Sequence, residues 1–265
     1  MNRTLPALIV AVLAAAWPDG AALHAARAAG QQPARVRIAA ASDLKFALDE
    51  IVARFVARHP AIRVEPTYGS SGNFHAQLRQ RAPFDLFLSA DMEYVRDLVA
   101  RGIGTEPEIF PYAIGHLVLW VPARSPLRVE EEGLAALRGA RRIAIANPRH
   151  APYGRAAEAA LRAGGLWEEV QPRLVLGESI AQTAQFARSG AVDAVLVSRS
   201  LAAAPAMSGS GRFRDVPPGT YPPILQGGLI LPWTASRPAA EQFRSFLTGP
   251  DGRSVLARHG FALPE

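Results

Sequence analysis

Four stretches of this chain place hydroxyls and backbone amides where an anion could be held. Ser42-Asp43-Leu44-Lys45 follows the apolar run Val36 to Ala41, and Tyr68-Gly69-Ser70-Ser71-Gly72-Asn73-Phe74 follows a β-branched run ending at Thr67. Asn147-Pro148-Arg149-His150-Ala151-Pro152-Tyr153-Gly154 follows Arg142 to Ala146, and Gly177-Glu178-Ser179-Ile180 makes a fourth turn of the same kind. In each, a strand pattern runs into a helix pattern. The first amides of a helix have no carbonyl one turn behind them, and the positive end of the helix dipole favours negative charge. Gly69 and Gly72 let the backbone approach closely, while Ser70 and Ser71 add hydroxyl donors. Gly/Ser clusters are also ordinary loop chemistry in α/β proteins, so a single turn of this kind carries little weight.

Ser42-Asp43-Leu44-Lys45 also spells S-x-x-K, in which a lysine one helical turn after a serine acts as its base in acyl transfer. The companion motifs are missing. Lys45 is the sole lysine, so no K-T-G exists; no S-D-N occurs, and Gly69-Ser70-Ser71-Gly72 lacks the spacing of G-x-S-x-G. A serine acyl enzyme is therefore the weaker reading, and the chain is expected not to be an enzyme. Among His24, His59, His75, His116, His150 and His259, none stands three to five residues from another, so no metal-binding spacing is present. The absence of cysteine removes thiol catalysis and cysteine metal sites. Glu130, Glu131 and Glu132 read as a solvated helix start.

The elements that must carry these turns fit a chain of 265 residues, long enough for one large or two modest domains. Met1-Asn2-Arg3 and the apolar run Leu5 to Trp17 have the form of a secretory signal, with cleavage expected near Ala26-Arg27-Ala28. Residues 1–28 are read as the signal peptide. No other window is long and apolar enough to span a bilayer, which predicts an exported, periplasmic chain. The net charge of +6 comes from arginines scattered among acids, without interleaved aromatics to stack bases, so nucleic acid is not an expected partner.

In order, the pattern predicts a first strand at Arg35 to Ala41 and a helix striped by Leu44, Leu48, Ile51, Val52, Phe55 and Val56. A second strand starts at Ile62, and a third covers Phe84 to Leu88. Ser89-Ala90-Asp91 then caps a helix that ends at Gly102. Further strands are expected at Ile114 to Val121, Arg142 to Ala146, Arg173 to Leu176 and Ala194 to Val197, with helices at Arg155 to Ala163 and Ser179 to Arg188. Met207 to Arg212 reads as a polar loop, Pro217 to Pro223 as a stiff crossing segment, and Ile224 to Leu231 as a last strand before two terminal helices. The class is α/β: two lobes, each a mostly parallel sheet flanked by helices. Residues 29–114 form the first lobe, 115–221 the second, and 222–265 return to the first. Ligands of such sheets bind beyond the carboxyl ends of the strands, which puts two turns from each lobe on the cleft between them.

Ala39-Ala40-Ala41-Ser42, Gly69-Ser70-Ser71-Gly72, Ala82-Pro83-Phe84-Asp85-Leu86-Phe87-Leu88-Ser89-Ala90-Asp91 and Asn147-Pro148 to Tyr153-Gly154, in this order, resemble the periplasmic molybdate-binding proteins of ABC importers. The likeness covers nearly the whole mature chain. It implies a type II periplasmic binding protein, a monomer without cofactor, that holds molybdate or tungstate by neutral hydroxyls and amides and delivers it to a membrane permease. Carried over by motif, Ser42 and Ser71 match the hydroxyl donors, and Tyr153 and Ile180 the second-lobe positions, with Ile180 able to offer only its amide. Molybdenum would thus be held as molybdate, through its oxygens, by Ser42, Ser71, Tyr153 and Ile180. Many members also bond the ligand through a tyrosine near Val197; Val197-Ser198 lacks it, which leaves Tyr153 or Ser198 as substitutes. Asp43, counted with the ligand-binding residues, departs from the neutral residues of other members and is expected to turn away from a bare dianion. A sulfate or phosphate receptor of the same fold is the alternative.

Overall fold

The computed structural model describes residues 33–265, so the signal-peptide reading of residues 1–28 lies outside the described residues. The apolar run Val36 to Ala41 becomes the buried core of β1 (Ala34–Ala41), which pairs in parallel with β2 (Ile62–Gly69) on one side and β3 (Leu86–Ser89) on the other. Between them run α1 (Lys45–Arg58) and α2 (Ser71–Leu78), and β3 leads into α3 (Met92–Ala100). The stripe on α1 buries Leu48, Ile51 and Phe55 completely, each burial stabilising by about 1.5–3 kcal/mol. Phe55 meets Phe243 edge to face at 5.1 Å, which ties α1 to the terminal helix Arg237–Thr248.

Ile114 to Val121, expected as one strand, is two. β4 (Ile109–Gly115) belongs to the first sheet and β5 (Leu117–Pro122) to a second, with His116 alone between them. Only Gly115 and His116 interrupt the apolar pattern there. What changes at His116 is the hydrogen-bonding partner, from β10 (Ile224–Ile230) for β4 to β8 (Ala194–Ser198) for β5. A second correction concerns Met207 to Arg212, expected as a loop: it runs into an edge strand, β9 (Gly211–Asp215), paired with β5. Gly211 permits this, because a Cβ there would stand 2.0 Å from the Trp120 ring.

The second lobe adds β6 (Ile143–Ala146), α4 (Pro152–Ala163), β7 (Leu174–Gly177) and α5 (Ile180–Arg188). The sheet orders are β2-β1-β3-β10-β4 and β7-β6-β8-β5-β9, the same pattern twice. In each sheet one strand runs against the other four: β10 in the first and β5 in the second. Those two are the strands entered after a crossing. The chain crosses at His116 and returns through Val216 to Pro223, and the two connections lie side by side, the Val216 amide donating to the Leu117 carbonyl at 3.0 Å and the Leu117 amide to Tyr221 Oη at 3.2 Å.

Candidate functional site

Ser42, Asp43, Ser71, Tyr153 and Ile180 line one small cavity together with Ala41, Gly69, Ser70, Ala90, Ala151 and Pro152. All five predicted residues come together. The cavity measures only about 10 Å³, because the lobes are closed on one another at this point. Larger grooves, of about 380 and 300 Å³, lie on the second lobe beside Arg138 and Arg214 and next to the crossing at Pro222–Leu225. The small cavity is the one on which four helix starts converge, and chemistry rather than volume singles it out.

The two serines are set as donors. Ser71 Oγ accepts the Ala90 amide at 2.9 Å, and Ser42 Oγ accepts the Ala181 amide across the cleft at 3.3 Å. A hydroxyl whose oxygen already accepts keeps its proton for a further acceptor. Ser71 opens α2 and Ile180 opens α5, while Tyr153 is the second residue of α4 behind Pro152, so their amides fall where no intrahelical carbonyl precedes them. Ser179 caps α5 by accepting the Gln182 amide at 3.2 Å.

Asp43 is 1% exposed, and its carboxylate is turned to partners from two other parts of the chain. Tyr153 Oη donates to Oδ2 at 3.0 Å, Gln226 Nε2 donates to the same oxygen at 2.6 Å, and Oδ1 has no partner. Burial raises the carboxyl from 3.8 to about 6, against the lowering by Gln226, Tyr153 and the amides of Asp43 and Leu44. Burial, and then the charge of Asp43, hold the Tyr153 and Tyr112 phenols well above their ordinary range. The Tyr153 hydroxyl is thus committed to Asp43. Ser198, the other candidate for the missing tyrosine, is buried against Ser200 at 3.0 Å and accepts the Leu201 amide, away from the cavity wall.

Sequence reasoning missed Gln226 and the contacts at the cleft mouth. Gln226 is the one amide in the apolar strand Ile224-Leu225-Gln226-Gly227-Gly228, and a lone buried amide was the available signal. At the mouth, the His150 carbonyl accepts from the Gly72 amide at 2.9 Å and from Ser70 Oγ at 2.6 Å. Nearby, Arg155 of α4 pairs with Asp91, donates to Tyr94 Oη at 2.8 Å and lies 5.1 Å from the Tyr94 ring. Lys45, the would-be base of S-x-x-K, instead reaches Asp49 at 2.9 Å on the surface.

A family model described as bacterial extracellular solute-binding protein matches residues 36–262. The chain belongs to that family. Relatives within the solute-binding proteins include the molybdate-binding protein ModA of Azotobacter vinelandii, 33% identical over 99% of this chain and 100% of that protein. The ModA of Rhodobacter capsulatus is 34% identical over 73% of this chain and 75% of its own length. The solved Azotobacter vinelandii periplasmic molybdate-binding protein superposes with a TM-score of 0.81, covering 87% of this chain and 100% of that one. As a solute-binding protein of this fold, the chain holds its ligand between two lobes, each a mixed sheet flanked by helices.

Proposed function

We propose that this solute-binding protein captures molybdate or tungstate in the periplasm, as a monomer and without a cofactor, and delivers it to the permease of an ABC importer. The observation that carries the reading is the state of the two serines: each oxygen accepts a backbone amide, leaving each proton for an oxyanion. Ser42 and Ser71 supply hydroxyls from the first lobe, and Tyr153 and Ile180 supply amides from the second. The four hold the oxygens of the anion, not its metal. The names of relatives that align over most of the chain support molybdate as the cargo.

No reaction is performed on the ligand. Lys45 faces Asp49 rather than Ser42, which removes the base that acyl transfer needs. Sulfate and phosphate are the competing cargoes. Calorimetric titration of the mature chain with molybdate, tungstate, sulfate and phosphate tests the reading: the first two bind tightly and phosphate feebly. Tighter binding of sulfate or phosphate overturns it.

A further inference from the structure

The donors of the four turns leave Asp43 unexplained. Its Oδ2 is filled by Tyr153 and Gln226, while Oδ1, and the Oε1 of Gln226, are buried without partners. Around the carboxyl stand the Tyr153 phenol from α4, the Tyr112 phenol from β4 and Gln226 from β10, with the Tyr221 phenol of the crossing segment near Tyr153. Tyr112 donates to the Ser89 carbonyl at 2.9 Å, Tyr221 Oη accepts the Leu117 amide at 3.2 Å, and Ser200 donates to the Asp43 carbonyl at 2.9 Å. Lys45 is turned outward to Asp49, and His150 at the mouth bonds Ser70 and Glu178. Among the described residues no cation is among the leading influences on the Asp43 carboxyl.

A dianion held by Ser42 and Ser71 therefore comes to rest beside an uncompensated carboxylate. Two acceptors cannot hydrogen-bond to each other, and like charges in a dry cleft repel. One proton resolves both conflicts. We propose that the anion binds together with one proton from solvent, which settles on the free Oδ1 of Asp43 and makes that carboxyl a neutral hydrogen-bond donor within the site. The inference rests on the oxyanion reading above. Both side-chain donors sit on Oδ2, and Oδ1 is buried without a hydrogen-bond partner, so Oδ1 is the oxygen open to the proton. Burial has already brought the carboxyl to about 6, and a neighbouring dianion pushes it further in the same direction. The Tyr153 and Tyr112 phenols, raised well above their ordinary range, stay neutral and do not compete.

The test is calorimetric titration with sodium molybdate at mildly alkaline pH in buffers of different ionisation enthalpy. The wild type takes up about one proton per anion, and its dissociation constant rises about tenfold for each pH unit above neutrality. Asp43→Asn, whose amide keeps a donor, binds molybdate with no proton uptake and a flat pH profile. His150→Gln retains the uptake. Tight wild-type binding without proton uptake overturns the inference and leaves the molybdate reading standing, whereas no binding of molybdate overturns both. Uptake lost in His150→Gln, or persisting in Asp43→Asn, also overturns it. If Asp43→Asn fails to fold, the wild-type proton count and the His150→Gln titration decide the matter.

Discussion

Tyr153 and Asp43 meet across the cleft, the phenol of the second lobe donating at 3.0 Å to a carboxylate of the first, with both side chains buried. The contact is a lobe-to-lobe hydrogen bond made by a group that is costly to bury in its charged form. Closure of the lobes and the charge on Asp43 are therefore linked.

That link makes stability depend on pH. The Asp43 carboxyl sits at about 6 in the folded chain against 3.8 ordinarily, so between those values the folded state holds a proton that the unfolded state has lost. Stability from this group is greatest below the lower value and falls as pH rises through about 6, by about 3 kcal/mol in total. Asp43→Asn removes the cost. Denaturant melts of the ligand-free protein should show the variant more stable by up to that amount at neutral pH, with the gap closing in mild acid. A gap independent of pH counts against a raised carboxyl.

Ser42→Ala and Ser71→Ala should each weaken molybdate binding by about 1.5–3 kcal/mol, the range for hydrogen bonds to charged groups. Each also strips an acceptor from a backbone amide, Ala181 or Ala90. Titration of both variants beside melts of the ligand-free protein separates lost binding from lost fold. Wild-type affinity in both would move the site elsewhere.

Gly72 tests closure. A Cβ there would stand 2.5 Å from the His150 carbonyl oxygen and 2.9 Å from its Cα, backbone atoms of the opposite lobe that cannot swing aside. Gly72→Ala should wedge the cleft open while each lobe folds, so affinity drops at least tenfold, about 1.4 kcal/mol. Small-angle scattering should find the variant expanded with molybdate present, where the wild type compacts. Equal dimensions and equal affinity would rule out the wedge.

Saturating molybdate should raise the melting temperature of the wild type, because the ligand binds only the folded, closed form. Thermal scans over a concentration series check this. A melting point that ignores ligand in a sample with proven binding would contradict a bridging anion.

The strand-to-helix turns were legible because their signals are local. Ser42 follows the strand pattern directly, Ser71 stands in a Gly-Ser turn just after one, and the stripe Leu44, Leu48, Ile51, Phe55 has helical period. Gln226 was not legible as a partner of Asp43, since 183 residues separate them and only the return of β10 brings them together. The expectation that Asp43 turns away from a bare dianion names no partner for it, and of its surroundings only the amides of Asp43 and Leu44 are local in sequence. It gave no hint of Tyr153 or Gln226. His116 hid the change of sheet for a related reason: the residues on either side are equally buried, so hydrophobicity continues while pairing does not.

The position of β10 between β3 and β4 also sets an order of events during synthesis. The strands of the second sheet, Leu117 to Asp215, are contiguous in the chain and can close as soon as they emerge. The first sheet begins earlier and finishes later, because β3 and β4 have no common neighbour until β10 follows. In that interval two apolar strands wait with unmet backbone donors and acceptors along the edges that β10 will fill. The nascent chain is therefore most open to pairing with another copy of itself after His116 and before Ile224, and a holdase that recognises open strand edges would act in that window.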